Sequence, residues 1–230
     1  MADGNVGRLA PAASGRREQA KSERRSRIVR AARDLIRETG DTDLSMRTIA
    51  GRAGVSLTTP YNLFGSKRAV VLAVFEDERD FLVRFSRLKA ANAIDRIFDA
   101  NDLAIGYYID DPDFYRTLWK ALLNTQGAET TGLATPERLE RNRAAWRALL
   151  EAAQAEGLLD PAISSDTLER ALSCFSSGAM LAWATDALPT EALGPTTALG
   201  YALALRGAAT PAGAAILAAR IARCQAMLAA

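Results

Sequence analysis

Apolar residues recur at helical spacing along almost the whole chain, and no stretch alternates apolar and polar positions for long enough to suggest a strand. The first stripe, Ile28, Ala32, Leu35 and Ile36, predicts a helix from roughly Glu18 to Thr39 that ends at Gly40. Arg24, Arg27, Arg30 and Arg37 lie on its other faces. Two short patterns follow between 46 and 64. From Lys67 a longer one, Val70, Val71, Val74, Phe75, Phe81, Leu82 and Phe85, predicts a helix to about Ala90. Further helices are expected at about 93–109, 113–125, 136–156, 165–187, 190–206 and 211–229. Turn and cap residues separate them at Asp111-Pro112, Gly127 to Pro136, Gly157 to Ser164, Pro189 and Thr210-Pro211. The fold class this implies is all-α. Residues 1–16, rich in Ala, Gly and Arg without a period, read as a mobile basic arm.

The stretch from Ser45 to Lys67 carries the most specific pattern. Ser45 is a good helix N-cap, able to accept an orphan N–H from Arg47 or Thr48. A short helix from Met46 to about Ala53 packs through Ile49, Ala50 and Ala53 and leaves Arg47, Thr48, Gly51 and Arg52 on other faces. Gly54 then takes the left-handed position that ends a helix at little cost to glycine. Val55 plugs the turn, and Ser56 reads as a second cap that opens a helix carrying Leu57, Thr58, Thr59, Tyr61, Asn62 and Phe64. Cap, helix, glycine turn, cap and helix form a helix-turn-helix. Threonine and asparagine on the second helix can bond base edges or phosphates, and a tyrosine hydroxyl reaches a backbone oxygen. Gly65-Ser66-Lys67 starts a third helix, whose positive end and Lys67 charge suit a duplex phosphate.

On these residues the stretch resembles the DNA-binding signature of the TetR (tetracycline-repressor-like) transcriptional regulators. The matching positions are Ser45, Arg47, Ile49-Ala50, Ala53-Gly54-Val55-Ser56, Thr59, Tyr61, Phe64, Ser66-Lys67 and the apolar run Val70 to Val74. The resemblance implies a three-helix DNA-binding domain over 17–68 and a helical ligand-binding and dimerisation domain over 69–230. Arg47, Ser56, Leu57, Thr58, Thr59, Tyr61, Asn62 and Lys67 are the expected DNA contacts. Two positions depart from the family pattern, which usually has a small aliphatic residue before the tyrosine and a histidine two after it: here they are Pro60 and Leu63. With Ser56 as the cap, Pro60 is the fourth helical residue and lacks the N–H that would bond the Ser56 carbonyl. One outcome is a loosened or 3₁₀-like first turn that splays Thr58 and Thr59 toward the groove. The other is a proline simply tolerated in a first turn.

The resemblance also gives the body its expected roles. The helix after Lys67 is the connection that moves the reading unit. Aromatic residues gather on the middle helices, Phe98, Tyr107, Tyr108, Phe114, Tyr115, Trp119, Trp146, Phe175 and Trp183, where core packing competes with a ligand cavity. The expected cavity lining is Tyr108, Trp119, Trp146 and Phe175, and the expected effector is a small, mostly apolar molecule. The segments LSCFSSGAMLAWA and TTALGYALALRGAA are apolar on more than one face and rich in small residues. The family implies a homodimer through helices near 165–187 and 190–206; the competing reading is intramolecular core.

Charge sharpens this division. Residues 1–68 hold 14 Lys and Arg against 7 Asp and Glu, a net +7, which leaves 15 against 20, a net −5, for 69–230. A basic head on an acidic body fits a nucleic-acid-binding domain joined to something else. Nine of the 25 arginines lie in the first 40 residues, so a general preference for arginine does not explain the clustering. Arg16 and Arg17 could enter a minor groove.

Composition closes several other routes. The chain has no histidine, which excludes Ser-His-Asp and Cys-His catalysis and every His-based metal site. Neither glycine-rich phosphate-binding pattern occurs. Cys174 and Cys224 form no disulfide framework or metal pattern and read as small core residues. The first 30 residues lack the apolar core of a secretory segment. The longest uncharged run, Ala171 to Thr185, is 15 residues, short of the roughly 20 a membrane span needs. The expectation is a cytoplasmic, non-enzymatic protein that needs no cofactor, no metal and no membrane. It would be a ligand-relieved repressor binding a palindromic double-stranded DNA operator as a dimer. The alternatives are a helical ligand- or protein-binding module with a vestigial helix-turn-helix, and a carboxylate-only enzyme.

Overall fold

A computed structural model describes residues 11–42, 44–77, 84–124 and 136–229. Among them all regular structure is α-helical, apart from an isolated bridge between Leu159 and Ala209. The chain divides into two compact units, Met1–Asp77 and Glu78–Ala230.

The first unit holds α1 (Pro11–Thr39), α2 (Met46–Ala53), α3 (Thr58–Phe64) and α4 (Lys67–Asp77). Its core is built from Ile28, Val29, Ala32, Leu35 and Ile36 of α1, Met46, Ile49 and Ala50 of α2, and Val70, Val71 and Val74 of α4. These are the positions that the 3.6-residue period selects. Helix α1 begins at Pro11, earlier than the sequence expectation of Glu18, so residues 11–16 of the expected arm are helical. Proline fits the first position of a helix, and Ala12 and Ala13 propagate it cheaply. Residues 1–10 lie outside the described residues.

The helix expected from Lys67 to Ala90 is described to Asp77; Phe81 and Leu82 lie outside the described residues. Its far end stops short of Ala90. Arg87 and Leu88 donate to the carbonyls three residues back, Arg84 and Phe85, at 3.1 Å each, and the backbone is non-helical from there to Asn92. Asn92 then caps the next helix by accepting the Asp95 N–H at 2.8 Å.

The second unit contains α5 (Ala93–Asp110), α6 (Pro112–Asn124), α7 (Pro136–Ala155), α8 (Ser165–Ala184), α9 (Thr190–Arg206) and α10 (Pro211–Ala229). Its core runs through Ile94, Ile97 and Phe98 of α5, Leu150 and Ala153 of α7, Leu172 of α8, Tyr201 and Leu205 of α9, and Leu217 of α10. The 157–164 loop is pinned to the start of α10. Thr210 accepts the Gly213 N–H at 3.3 Å, donates its hydroxyl to the Gly157 carbonyl at 2.7 Å, and sends its amide to Leu158 at 3.1 Å. Trp183 is fully buried and donates its ring N–H to Thr190 at 3.1 Å, holding α8 to α9.

Two expectations change here. Cys224 is buried as expected, but Cys174 is exposed, because it lies on the face of α8 opposite Leu172, Ala179 and Met180, beside exposed Phe175 and Gly178. Helix α10, with a mean hydropathy of 1.2, is long and apolar enough by composition to cross a membrane, which counting uncharged runs did not reveal. In this fold its Gly213, Leu217 and Cys224 are buried. Arg220 on the same helix reaches Asp95 at 3.2 Å and lies 4.6 Å from the Phe98 ring centroid.

Candidate nucleic-acid interface and body cavity

The turn between α2 and α3 is set by local chemistry. Ser45 accepts the Thr48 N–H at 3.0 Å, capping α2. At the other end Gly54 adopts φ 64° and ψ 42°, its N–H bonds Gly51, and the Val55 N–H reaches back to Ala50 at 3.1 Å. This six-to-one bond with a left-handed glycine ends α2 and turns the chain into α3.

Helix α3 starts one residue later than expected, at Thr58, and its N-cap is Leu57, which supplies no side-chain bond. Ser56 is therefore not the cap. Its hydroxyl pairs instead with the hydroxyls of Thr59, 2.8 Å, and Thr58, 3.1 Å. The Ser56 carbonyl, which Pro60 cannot satisfy, accepts the Thr59 N–H at 3.0 Å in a 3₁₀-type bond. Pro60 becomes the third helical residue, where an N–H has no intrahelical acceptor anyway, so the proline forfeits no helical bond. Pro60 is buried, and Thr59 is half-buried rather than splayed outward.

The exposed face of α3 and its approach carries Ser56, Leu57, Thr58, Tyr61 and Asn62. Positions 58, 61 and 62 fall at i, i+3 and i+4, one stripe of the helix. Arg47 is exposed on α2, whereas Lys67 is half-buried at the start of α4. There Ser66 accepts the Ala69 N–H at 3.2 Å, and Gly65 takes φ 78° to join α3 to α4.

Two supports of this face escape the sequence reading. Arg25 of α1 stacks 4.3 Å from the Phe64 ring centroid and donates to the Leu63 carbonyl at 3.4 Å, steadying the end of α3. Arg52 of α2 grips Glu38 of α1 with both guanidinium nitrogens, at 2.8 and 2.7 Å. This bond holds the Glu38 carboxyl below its ordinary value and raises Arg52. No local spacing announces either pair, since the partners are 39 and 14 positions apart or nearly so in the chain.

The body contains a cavity of about 220 Å³ between α5, α6, α7, α8 and α9. Tyr108, Trp119 and Trp146 line it, as the sequence reading expected, but Phe175 does not. Phe175 is 38% exposed, and its ring lies directly over Gly200, whose missing side chain leaves room for it. The lining also includes Asn101, Glu169, Ser176, Met180 and Tyr201, which the sequence reading did not select. The available signal was on α8: Glu169, Leu172, Ser176 and Met180 share a helical stripe on which a charge is out of place. Trp146 and Tyr201 meet edge to face at 5.7 Å, and Tyr108 meets Trp183 at 5.6 Å. Asn101 is buried and donates to Thr197 at 3.3 Å, while Tyr201 and Ser176 share a hydrogen bond of 2.6 Å. Burial pushes the Tyr201 phenol up to about 12 despite that bond. Among the described residues no three Cys, Asp or Glu side chains gather as a metal site.

Residues 28–74 match the family model described as bacterial regulatory proteins, tetR family. The fold is similar to several solved structures. Full-length native tylp, a TetR regulator from Streptomyces fradiae, is 22% identical at a TM-score of 0.60, over 86% of this chain and 90% of that one. A TetR transcriptional regulator from Rhodococcus sp. RHA1 is 21% identical at 0.61, over 81% and 97%. Thermus thermophilus FadR, a TetR family repressor in complex with lauroyl-CoA, is 22% identical at 0.63, over 80% and 94%. At such identities the likeness is one of fold. No curated protein matches the sequence.

Proposed function

We propose that this chain, which belongs to the tetR family of bacterial regulatory proteins, is a cytoplasmic repressor that binds a palindromic operator as a dimer and releases it on binding a small effector. Family membership makes it a DNA-binding transcriptional regulator; the sign of regulation, the symmetry and the ligand response are our reading. The observation that carries it is the exposed stripe Thr58, Tyr61 and Asn62 on a helix whose opposite side is seated by Pro60. Such a face offers hydroxyl and amide groups to base edges and phosphates, with Arg47 and Lys67 beside it for the backbone.

A dimer would set two such helices in successive major grooves about 34 to 36 Å apart. The exposed Leu181 and Leu203, on α8 and α9, support a dimer surface there, since helices apolar on a second face need a partner. The body cavity supports an effector site. An effector that fits one dimer geometry better than the other would shift the spacing of the recognition helices, and its differential affinity would equal the loss of operator affinity.

Selection of bound duplexes from a random pool tests this reading. A palindrome with half-sites one helical turn apart is the expected product. A vestigial helix-turn-helix would enrich no sequence.

A further inference from the structure

The cavity in the body contains a carboxylate to which no described residue donates a hydrogen bond. Glu169, on the second turn of α8, is 7% exposed and lines the cavity between buried Leu168 and Leu172. Among the described residues none donates a hydrogen bond to its carboxylate. Arg147 acts on it electrostatically, but that guanidinium already donates to Glu140 at 2.6 Å and stands 3.3 Å from Asp166. The Tyr201 and Ser176 hydroxyls bond each other at 2.6 Å, and the Glu169 charge acts on Tyr201 without a hydrogen bond between them. The Glu169 oxygens open onto the cavity, and a carboxylate held among apolar neighbours is relieved by whatever enters there: water, a donor or a positive charge.

The walls around it suit that charge. Tyr108, Trp119, Trp146 and Tyr201 surround the same space, and aromatic faces attract cations that have been partly stripped of water. The other ionic group on the lining, Arg143, is exposed, so solvent screens it. From this juxtaposition of a largely buried carboxylate, with no donor among the described residues, and four aromatic side chains, we infer that the cavity takes a small organic cation, with Glu169 as its counter-ion. The inference rests on the reading of this cavity as the effector site and adds one positive charge to the mostly apolar molecule expected there. At about 220 Å³ the site suits a single-ring amine.

The test is calorimetric titration of the full chain with three probes of similar size: 2-phenylethylammonium, 2-phenylethanol and 3-phenylpropanoate. The ammonium should bind about tenfold or more tighter than the alcohol, with the carboxylate weakest. Glu169→Gln should remove that preference while leaving the alcohol affinity within about threefold. Because no described residue donates to Glu169, Glu169→Gln should also melt no lower than the natural protein when no probe is present. Equal affinity for ammonium and alcohol, or preference for the carboxylate, overturns the inference and leaves the effector-site reading standing. An unchanged ammonium preference in Glu169→Gln overturns it too. Failure of all three probes to bind overturns the inference and counts against the effector site itself, while selection of an operator from random duplexes would still support the DNA-binding reading.

Discussion

The Thr59 amide donates to the Ser56 carbonyl at 3.0 Å, taking the acceptor that Pro60 lacks an N–H to reach. This one bond explains how a proline sits inside the recognition helix without breaking it. Pro60→Ala should therefore destabilise the protein by about 1 kcal/mol, because the unfolded chain gains freedom and no helical bond is recovered. Urea denaturation at fixed protein concentration checks this. A stabilisation of about 2 kcal/mol or more would show that the proline strains the helix.

The Arg52–Glu38 pair should make stability depend on acid. The bond lowers the folded-state affinity of Glu38 for its proton below the ordinary value of 4.5, so its contribution is complete above that value and is lost as pH falls through the lowered one. The melting temperature of Glu38→Gln should lie below that of the natural protein at neutral pH. The gap should close as pH falls through that lowered value and narrow in high salt, since both side chains are exposed. A gap that persists in acid would assign the effect to something other than the ion pair.

Two glycines should respond differently to a single methyl group. A Cβ on Gly213 would stand 2.0 Å from the Leu158 carbonyl oxygen, and that backbone is tied down by Thr210, so Gly213→Ala should cost about 3 kcal/mol or more. A Cβ on Gly200 would meet the Phe175 ring at 2.0 Å, but that side chain is partly exposed and can turn away. Gly200→Ala should cost less, and adding Phe175→Ala should remove most of the remainder. Thermal denaturation of the three variants reads both effects; equal losses at the two glycines would contradict the contrast.

Most of the helix boundaries in the body were legible in the sequence because they are written in local chemistry. Pro112, Ser164, Pro189 and Thr210-Pro211 stand at helix starts, and α9 and α10 span the ranges the apolar period predicts. The glycine turn at Gly54 was legible for the same reason. The start of α3 was not. Ser56 is chemically suited to cap, but Pro60 has no N–H for the Ser56 carbonyl, which takes the Thr59 N–H instead, and the helix starts at Thr58. The cavity was half legible: aromatic side chains announce themselves, but Asn101, Glu169 and Tyr201 come together from α5, α8 and α9, a convergence that no local spacing encodes. In the sequence Cys174 reads as core and Phe175 as cavity lining because they sit in an apolar segment, yet the helical period turns both outward.

On DNA, base contacts and phosphate contacts should respond differently to substitution. Asn62→Ala should lower affinity for the preferred duplex by about 1 to 3 kcal/mol and relax the preference at one position of each half-site. Lys67→Ala should weaken binding to every duplex alike and reduce the slope of log affinity against log salt by about 1. Fluorescence anisotropy on a panel of single-position variants distinguishes the two. Equal, sequence-selective losses from both would contradict the assignment.

The central claim is that the exposed stripe of α3 reads sequence. Its most direct measure is the ratio of affinities for the selected duplex and a scrambled duplex of the same length, taken at the same near-physiological salt concentration. The account predicts a ratio of about 10³ or more for the natural protein. A ratio near one, with both affinities falling steeply in salt, would show a basic surface that holds DNA without reading it.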